Sequence, residues 1–320
     1  MDRNFKEETV EIKGEVILKG TLTIPNRDKE RYPAILIIAG SGPIDRNGNP
    51  VKAKMLFNIY RDLAEYLTGL GIIALRYDKR GVGESEGDYL KTGMWDLVDD
   101  VGACVGYLKN HPMVDPGKII LLGHSEGCML ATIFNAREQV AGMILLGGAA
   151  ESMEEATRKQ REIAYAELMN SKGLMGFIYR LLKVDKKGEA QNKKLMEKMI
   201  SSGKDVVKVN FIKLNAKWVR EHFQHDVVED LKKAVCPVLA VTGSKDCQVD
   251  PEKLKAVASI VKGESESHLI EDMNHILKVY RGPVSILKMK EQYKAVAGDP
   301  LHPVLLSVLS GWLKKFSDTY

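Results

Sequence analysis

KIILLGHSEG, residues 118–127, is the stretch that decides the fold, because an apolar run ends there in the pattern G-x-S-x-G. The run 118–123 predicts a buried strand, and residues 126–136 predict a helix, so Ser125 lies on the turn between them. Such a turn strains its central residue, and β-carbons two positions away on either side would collide, which explains both glycines. The turn lifts the Ser125 hydroxyl clear of the sheet, and the pattern therefore predicts a nucleophile.

Apolar strands and amphipathic helices alternate on both sides of this turn. Residues 1–24 predict two antiparallel strands joined near Gly14. The other predicted strands are 34–39, 72–77, 118–123, 143–146, 238–242 and 267–270, and the predicted helices are 53–70, 94–108, 126–136, 227–234, 251–260 and 303–316. This alternation predicts an α/β fold with a mostly parallel, doubly wound sheet and an antiparallel N-terminal hairpin. Ligands bind beyond the carboxyl ends of the strands in such sheets.

The alternation stops between residues 151 and 225. Three helices are predicted there, at 151–170, 191–203 and 208–223, and the region holds 16 Lys+Arg against 10 Asp+Glu. Because it follows a core strand, we interpret it as a helical cap inserted into a core of residues 1–150 and 226–320. Packing among the cap helices accounts for apolar side chains there, but we expect some of them to line an acyl pocket. The candidates are Met169, Leu174, Met175, Phe177, Ile178, Phe211 and Trp218.

Two later loops supply partners for a serine nucleophile, which needs a base and an acid that orients the base. Asp246 and His275 each follow a predicted strand, and the chain order is serine, acid, histidine. Asp250 and Asp272 compete for the role of the acid. Asp250, however, directly precedes a proline and is typical of a helix cap.

An oxyanion hole requires two backbone amides beside the nucleophile. One is the amide of the next residue, Glu126. The loop AGSGPIDRNGN, residues 39–49, follows an early strand and predicts the second, because its glycines let N–H groups approach a ligand closely. Taken alone, the same loop reads as an ordinary Gly/Pro/Asn turn.

With these motifs the chain resembles the α/β-hydrolases, and more narrowly cytoplasmic carboxylesterases with a GSGP-x-DRxGN loop, a Y-D-x-RG-x-G-x-S segment and a GHSxG elbow. Here the motifs occupy residues 40–49, 77–85 and 123–127, and G-x-x-D-x-x-V at 243–249 and Asn274-His275 also match. The resemblance covers the chain except for the cap. It implies the following roles: Ser125 as nucleophile, Asp246 as acid, His275 as base, and the amides of Ser41 and Glu126 as oxyanion donors. Many members have HG where this chain has Ala39-Gly40, but a backbone donor does not need the histidine.

Composition and charge exclude several other classes of protein. Lys+Arg is 47 and Asp+Glu is 43 in 320 residues, and a net charge of +4 gives no argument for nucleic acid. No apolar run is long enough to span a membrane, and the charged N-terminus lacks the apolar core of a secretory signal. Four isolated cysteines are typical of reduced thiols. We therefore expect a cytoplasmic protein.

No cofactor and no metal is predicted. The glycines at 81, 83 and 87 do not open a helix, as a dinucleotide fingerprint must. His222 and His225 are spaced as metal ligands can be, but no cluster of cysteines or carboxylates supports a zinc site.

The sequence predicts a serine carboxylesterase that hydrolyses esters of small or medium acyl groups through an acyl-enzyme on Ser125. The expected partner is a small-molecule ester, and a homodimer is left open. An acyltransferase, or a serine amidase or aminopeptidase, would use the same triad. The non-enzymatic alternative is a ligand-binding protein on a hydrolase scaffold, which a missing triad member would have favoured.

Overall fold

The computed structural model describes residues 4–27, 29–51 and 55–316. Its strands are β1 Phe5–Lys13, β2 Ile17–Pro25, β3 Tyr32–Ile38, β4 Ile73–Tyr77, β5 Val114–His124, β6 Gly142–Leu146, β7 Val206–Val209, β8 Ile212–Asn215, β9 Val238–Gly243 and β10 Ser265–Ile270. Its helices are α1 Ile59–Gly69, α2 Met94–Lys109, α3 Glu126–Arg137, α4 Met153–Met169, α5 Gly173–Leu181, α6 Val184–Ile200, α7 Ala216–Gln224, α8 Val227–Leu231, α9 Pro251–Ile260, α10 Met289–Ala295 and α11 Pro303–Leu313.

One sheet of eight strands organises the described residues, in the order β1-β2-β4-β3-β5-β6-β9-β10. The β1–β2 hairpin is antiparallel and joins β4 in antiparallel fashion, whereas β4, β3, β5, β6, β9 and β10 run parallel. Helices α2, α3, α8 and α9 cover one face, and α1 and α11 cover the other. The predicted α/β-hydrolase fold is confirmed, and all parallel strands end at the same edge.

The predicted start of one core helix differs from the structure. Helix α1 begins at Ile59, because the Asn49 side chain accepts hydrogen bonds from the N–H groups of Phe57 and Asn58 and holds the preceding chain out of the helix. The predicted start of this helix at residues 53 and 54 lies outside the described residues. So do the two ends of the predicted core, residues 1–3 and 317–320. Helix α10 was not predicted.

The cap is not entirely helical, which corrects the prediction of a helix over 208–223. The first half of that predicted helix lies instead in the β7–β8 hairpin, and helix α7 begins at Ala216. The hairpin turns at Asn210 and Phe211, which both have positive φ, and its β-branched residues favour extended backbone. Asn215 then ends the hairpin and caps α7 with its side chain. Within residues 4–27, 29–51 and 55–316, no helix is both long enough and apolar enough to span a membrane.

Candidate active site

Ser125 occupies the strained turn that the sequence predicts between β5 and α3. Its φ is 54° and its ψ is −120°, a conformation that few residues other than glycine adopt. A β-carbon on Gly123 would lie 2.3 Å from the carbonyl oxygen of Gly127, and one on Gly127 would lie 2.1 Å from that of Ile38. The two glycines are therefore required by contact with backbone, which cannot move aside.

Asp246 and His275 meet beyond the ends of β9 and β10. His275 Nδ1 lies 2.8 Å from Asp246 Oδ2, and both residues are buried. The other carboxylate oxygen, Oδ1, accepts the N–H of Gln248 at 2.9 Å. Gly147, with φ 61°, passes beside the pair, and a β-carbon there would lie 3.3 Å from His275 Nδ1. His275 and Ser125 line one cavity, so the structure brings the three predicted triad residues to one place.

The two competing carboxylates lie in other contacts. Asp250 caps α9 by accepting the N–H of Glu252 at 3.0 Å, and it pairs with Lys159 of the cap. Asp272 lies 3.9 Å from the Lys245 ammonium and 3.4 Å from the Arg281 guanidinium. Of the three candidates, Asp246 is the one hydrogen-bonded to His275.

The predicted oxyanion donors lie on either side of Ser125. Glu126 is the first residue of α3, where a helical N–H has no partner within its own helix. The loop that carries Ser41 passes against the nucleophile, because a β-carbon on Gly40 would lie 3.1 Å from the Ser125 β-carbon. Ser41 and Glu126 line the same cavity as Ser125.

His124 is buried between the oxyanion loop and the His275 loop. The Gly40 N–H donates to the Tyr60 hydroxyl at 2.8 Å, and that hydroxyl lies 2.9 Å from His124 Nδ1. His124 Nε2 lies 2.9 Å from the His275 carbonyl oxygen. A neutral His124 with its proton on Nε2 satisfies this chain of bonds. Burial, and secondly the nearby His275, lower the pKa of His124 to about 3.

Asp78 and Lys79, within the segment 77–85, brace the oxyanion loop. The buried Asp78 carboxylate accepts the N–H of Arg46 at 2.7 Å and that of Glu84 at 3.1 Å. Lys79 Nζ donates to the Gly40 carbonyl oxygen at 2.6 Å. The sequence singled out this segment as a motif but gave Lys79 no role. A lysine two residues beyond a buried strand was the signal that could have found it.

Two cavities meet at Ser125, Ser41 and Gln248. The cap-side chamber, of about 130 Å³, lies beneath α4 and α7. Its other lining residues include Met129, Met153, Ala156, Thr157, Gln160 and Trp218. The His275-side chamber, of about 210 Å³, is walled mainly by apolar and aromatic residues: Ile44, Phe57, Tyr60, Ile276 and Tyr293.

The sequence predicts that some of seven apolar cap residues line an acyl pocket, and the structure places at least one of them beside Ser125. Trp218 lines the cap-side chamber. In contrast, Phe211 is 91% exposed at the tip of the hairpin. Leu174, Met175 and Phe177 of α5 are also more than half exposed. Neither chamber at Ser125 has a lining residue from α5.

The two cap histidines that are spaced as metal ligands contact different partners. His222 Nε2 lies 3.0 Å from Glu126 Oε1, and its Nδ1 lies 2.9 Å from the Trp218 carbonyl oxygen. His225 Nε2 lies 2.5 Å from Asp230 Oδ2. Each histidine therefore has a contact of its own.

The family model described as serine aminopeptidase, S33 matches residues 56–278, more than half of the chain. The chain belongs to this family. The matched range includes Ser125, Asp246 and His275.

Two proteins that this chain resembles are named as enzymes of different kinds. Esterase EstD of Thermotoga maritima is 26% identical over 290 residues, which are 89% of this chain and 64% of EstD. The chain thus spans less than two thirds of the length of EstD. A polyketide transferase, af380 of Aspergillus fumigatus, is 36% identical over 73 residues, 22% of this chain and 25% of that protein.

The solved structure of Est1E from Butyrivibrio proteoclasticus with bound ferulic acid has the same fold. Its TM-score is 0.59 at 20% identity, and the match covers 96% of this chain and 97% of that one.

Replacing Asp246 by Asn should reduce kcat by about 10³- to 10⁴-fold, because an amide cannot stabilise the imidazolium that forms on His275. Asp250→Asn and Asp272→Asn are the matched controls, and each should leave kcat within a few-fold. Steady-state kinetics on p-nitrophenyl acetate measure all three. A small effect of Asp246→Asn beside a large effect of either control would move the acid to that residue.

His124 should make folding stability depend on pH in a defined direction. An unfolded histidine binds a proton near pH 6.5, whereas folded His124 stays neutral down to about pH 3. Between these values stability falls as pH falls, by about 1.4 kcal/mol per pH unit. Urea unfolding at pH 7 and pH 5 should therefore show a loss about 2 kcal/mol smaller in His124→Gln than in the wild type. Equal losses in the two proteins would show that folded His124 takes up the proton.

Proposed function

We propose that this chain is a serine carboxylesterase acting on esters of small or medium acyl groups. The observation that carries the proposal is the His275–Asp246 hydrogen bond in the cavity that also holds the strained Ser125. Ser125 attacks the acyl carbon while His275 accepts its proton, and Asp246 stabilises the resulting imidazolium. The amides of Ser41 and Glu126 hold the oxyanion, and water then releases the acid from the acyl-enzyme.

The two chambers give the substrate a direction. His275 returns its proton to the departing alkoxide, so the alcohol must leave on the side of His275. The apolar and aromatic chamber beside His275 therefore receives the alcohol group, and the chamber beneath the cap receives the acyl group. A cap-side chamber of about 130 Å³ favours short acyl chains.

An acyltransferase remains the second candidate, because a 73-residue segment is similar to a polyketide transferase. Transfer requires that an alcohol or amine reach the acyl-enzyme in place of water, and the same triad serves both reactions. Amide hydrolysis, as the family description implies, is the third. These reactions differ in the acceptor or the leaving group.

One substrate panel separates these activities. A p-nitrophenyl series of increasing acyl length, together with matching anilides, is run with and without an added alcohol or amine. We expect ester hydrolysis to dominate, to fall as the acyl chain lengthens, and to be absent in Ser125→Ala, which should fold normally. Faster anilide turnover would favour the amidase, and acylated acceptor as the main product would favour the transferase.

The orientation is tested by filling the cap-side chamber. Ala156→Leu on α4 should lower kcat/KM for the longer esters more than for acetate, because Ala156 lines that chamber. Ala166→Leu, an exposed position on the same helix, is the matched control and should leave the profile unchanged. An unchanged profile in Ala156→Leu would place the acyl group in the other chamber.

A further inference from the structure

A buried ion pair lies directly behind the oxyanion hole. Lys79 Nζ is 3.0 Å from Glu126 Oε2, and the two side chains are 3% and 1% exposed. Glu126 is the residue whose amide is a proposed oxyanion donor, and its side-chain carboxylate forms this pair. Burial alone would raise the pKa of Glu126, but Lys79 and His222 outweigh it and hold that pKa well below its usual range. These two neighbours therefore favour the charged form of the carboxylate.

Lys79 also holds the other oxyanion donor. Its ammonium donates to the Gly40 carbonyl oxygen at 2.6 Å. That carbonyl and the Ser41 N–H belong to one planar peptide unit, so fixing the oxygen fixes the direction of the N–H. A charged donor on the carbonyl also polarises the peptide, which strengthens the N–H as a donor on the opposite side.

The Gly40–Ser41 peptide needs such a constraint. Glycine permits many backbone conformations, so the chain around Gly40 does not fix its own direction. The Gly40 N–H is bonded to the Tyr60 hydroxyl at 2.8 Å, and the Gly40 carbonyl is bonded to Lys79. Hydrogen bonds to the N–H and to the carbonyl oxygen of Gly40 therefore hold the loop.

The cap completes the arrangement around Glu126. Trp218 Nε1 of α7 donates to Glu126 Oε1 at 2.6 Å, while Lys79 takes Oε2. His222 Nε2 lies 3.0 Å from the same Oε1, at ion-pairing distance but off the line of a hydrogen bond. Both carboxylate oxygens are therefore occupied, one by the cap and one by the core.

We propose that Lys79 is a positioning residue for the oxyanion hole: it sets the Gly40–Ser41 peptide, and Glu126, held by Trp218 and His222 of the cap, keeps Lys79 in place. This inference rests on the proposed function, because it concerns the donors of that same reaction. Replacing a buried ion pair by neutral residues often leaves folding stability unchanged or raises it, so folding stability does not explain the presence of this pair. The pair should therefore matter more to kcat than to folding.

The test is the double variant Lys79→Met with Glu126→Gln, which removes both charges together and leaves neither one unpaired. We expect kcat for p-nitrophenyl acetate to fall by about 10- to 100-fold, less than or equal to the loss of one direct donor, with KM changed less than about threefold. Affinity for a trifluoromethyl ketone, which adds to serine and forms an oxyanion, should fall in parallel. The melting temperature should stay near that of the wild type.

Arg80→Met with Asp100→Asn is the matched control. Arg80 and Asp100 also form a buried ion pair, at 2.7 and 2.8 Å, but it joins the loop after β4 to α2 and does not contact Gly40. This control should retain kcat and ketone affinity within a few-fold. Equal losses in both double variants would make the Lys79–Glu126 pair a merely structural one.

If Lys79→Met/Glu126→Gln keeps the kcat and the ketone affinity of the wild type, the inference is overturned and the esterase proposal still stands. A wild-type enzyme that neither hydrolyses the ester nor binds the ketone would instead overturn the proposed function. Should the Met variant fail to fold, Lys79→Gln with Glu126→Gln replaces the charges by amides. That pair should lose kcat partially, because the shorter amide cannot replace the ammonium at Gly40, and undiminished kcat would again contradict the proposal.

Discussion

The strained backbone of Ser125 is the constraint on which the rest of the site depends. A serine with φ near 54° persists only where its surroundings hold it, and here Gly123 and Gly127 press against backbone carbonyls. Gly127 lies so close to Ile38 that β3 must end beside the first turn of α3. The loop after β3 therefore starts next to the nucleophile. The close packing of Gly127 on Ile38 thus explains why the oxyanion loop, the helix N-terminus and the serine lie together.

Buried hydrogen bonds extend this arrangement outward from Gly40. Through Tyr60 and His124 the oxyanion loop is connected to the backbone of His275, and through Lys79 and Glu126 it is connected to α7 of the cap. Unpaired polar groups are costly at such depth, so each member restricts its neighbours. A loop rich in glycine acquires a fixed direction from these contacts.

Sequence patterns predicted the fold and the meeting of Ser125, Asp246 and His275, because position at a strand end is encoded locally by apolar runs followed by polar residues.

The roles of Lys79 and His124 were not predictable in this way. Their partners, Gly40, Glu126, Tyr60 and His275, come from distant parts of the chain, and only the folded sheet brings them together. The β7–β8 hairpin was missed for a local reason. Its strands contain few alternating residues, and the strong helical pattern of the adjacent α7 extended the predicted helix over them.

The central claim is that ester hydrolysis passes through an acyl group on Ser125. The direct measurement is mass spectrometry of enzyme quenched in acid during turnover of p-nitrophenyl acetate, followed by peptide mapping. We expect the mass of one acetyl group on the peptide that contains Ser125, appearing with a burst of p-nitrophenol and absent from Ser125→Ala. Turnover without such an adduct, or with the acetyl group on another residue, would contradict it.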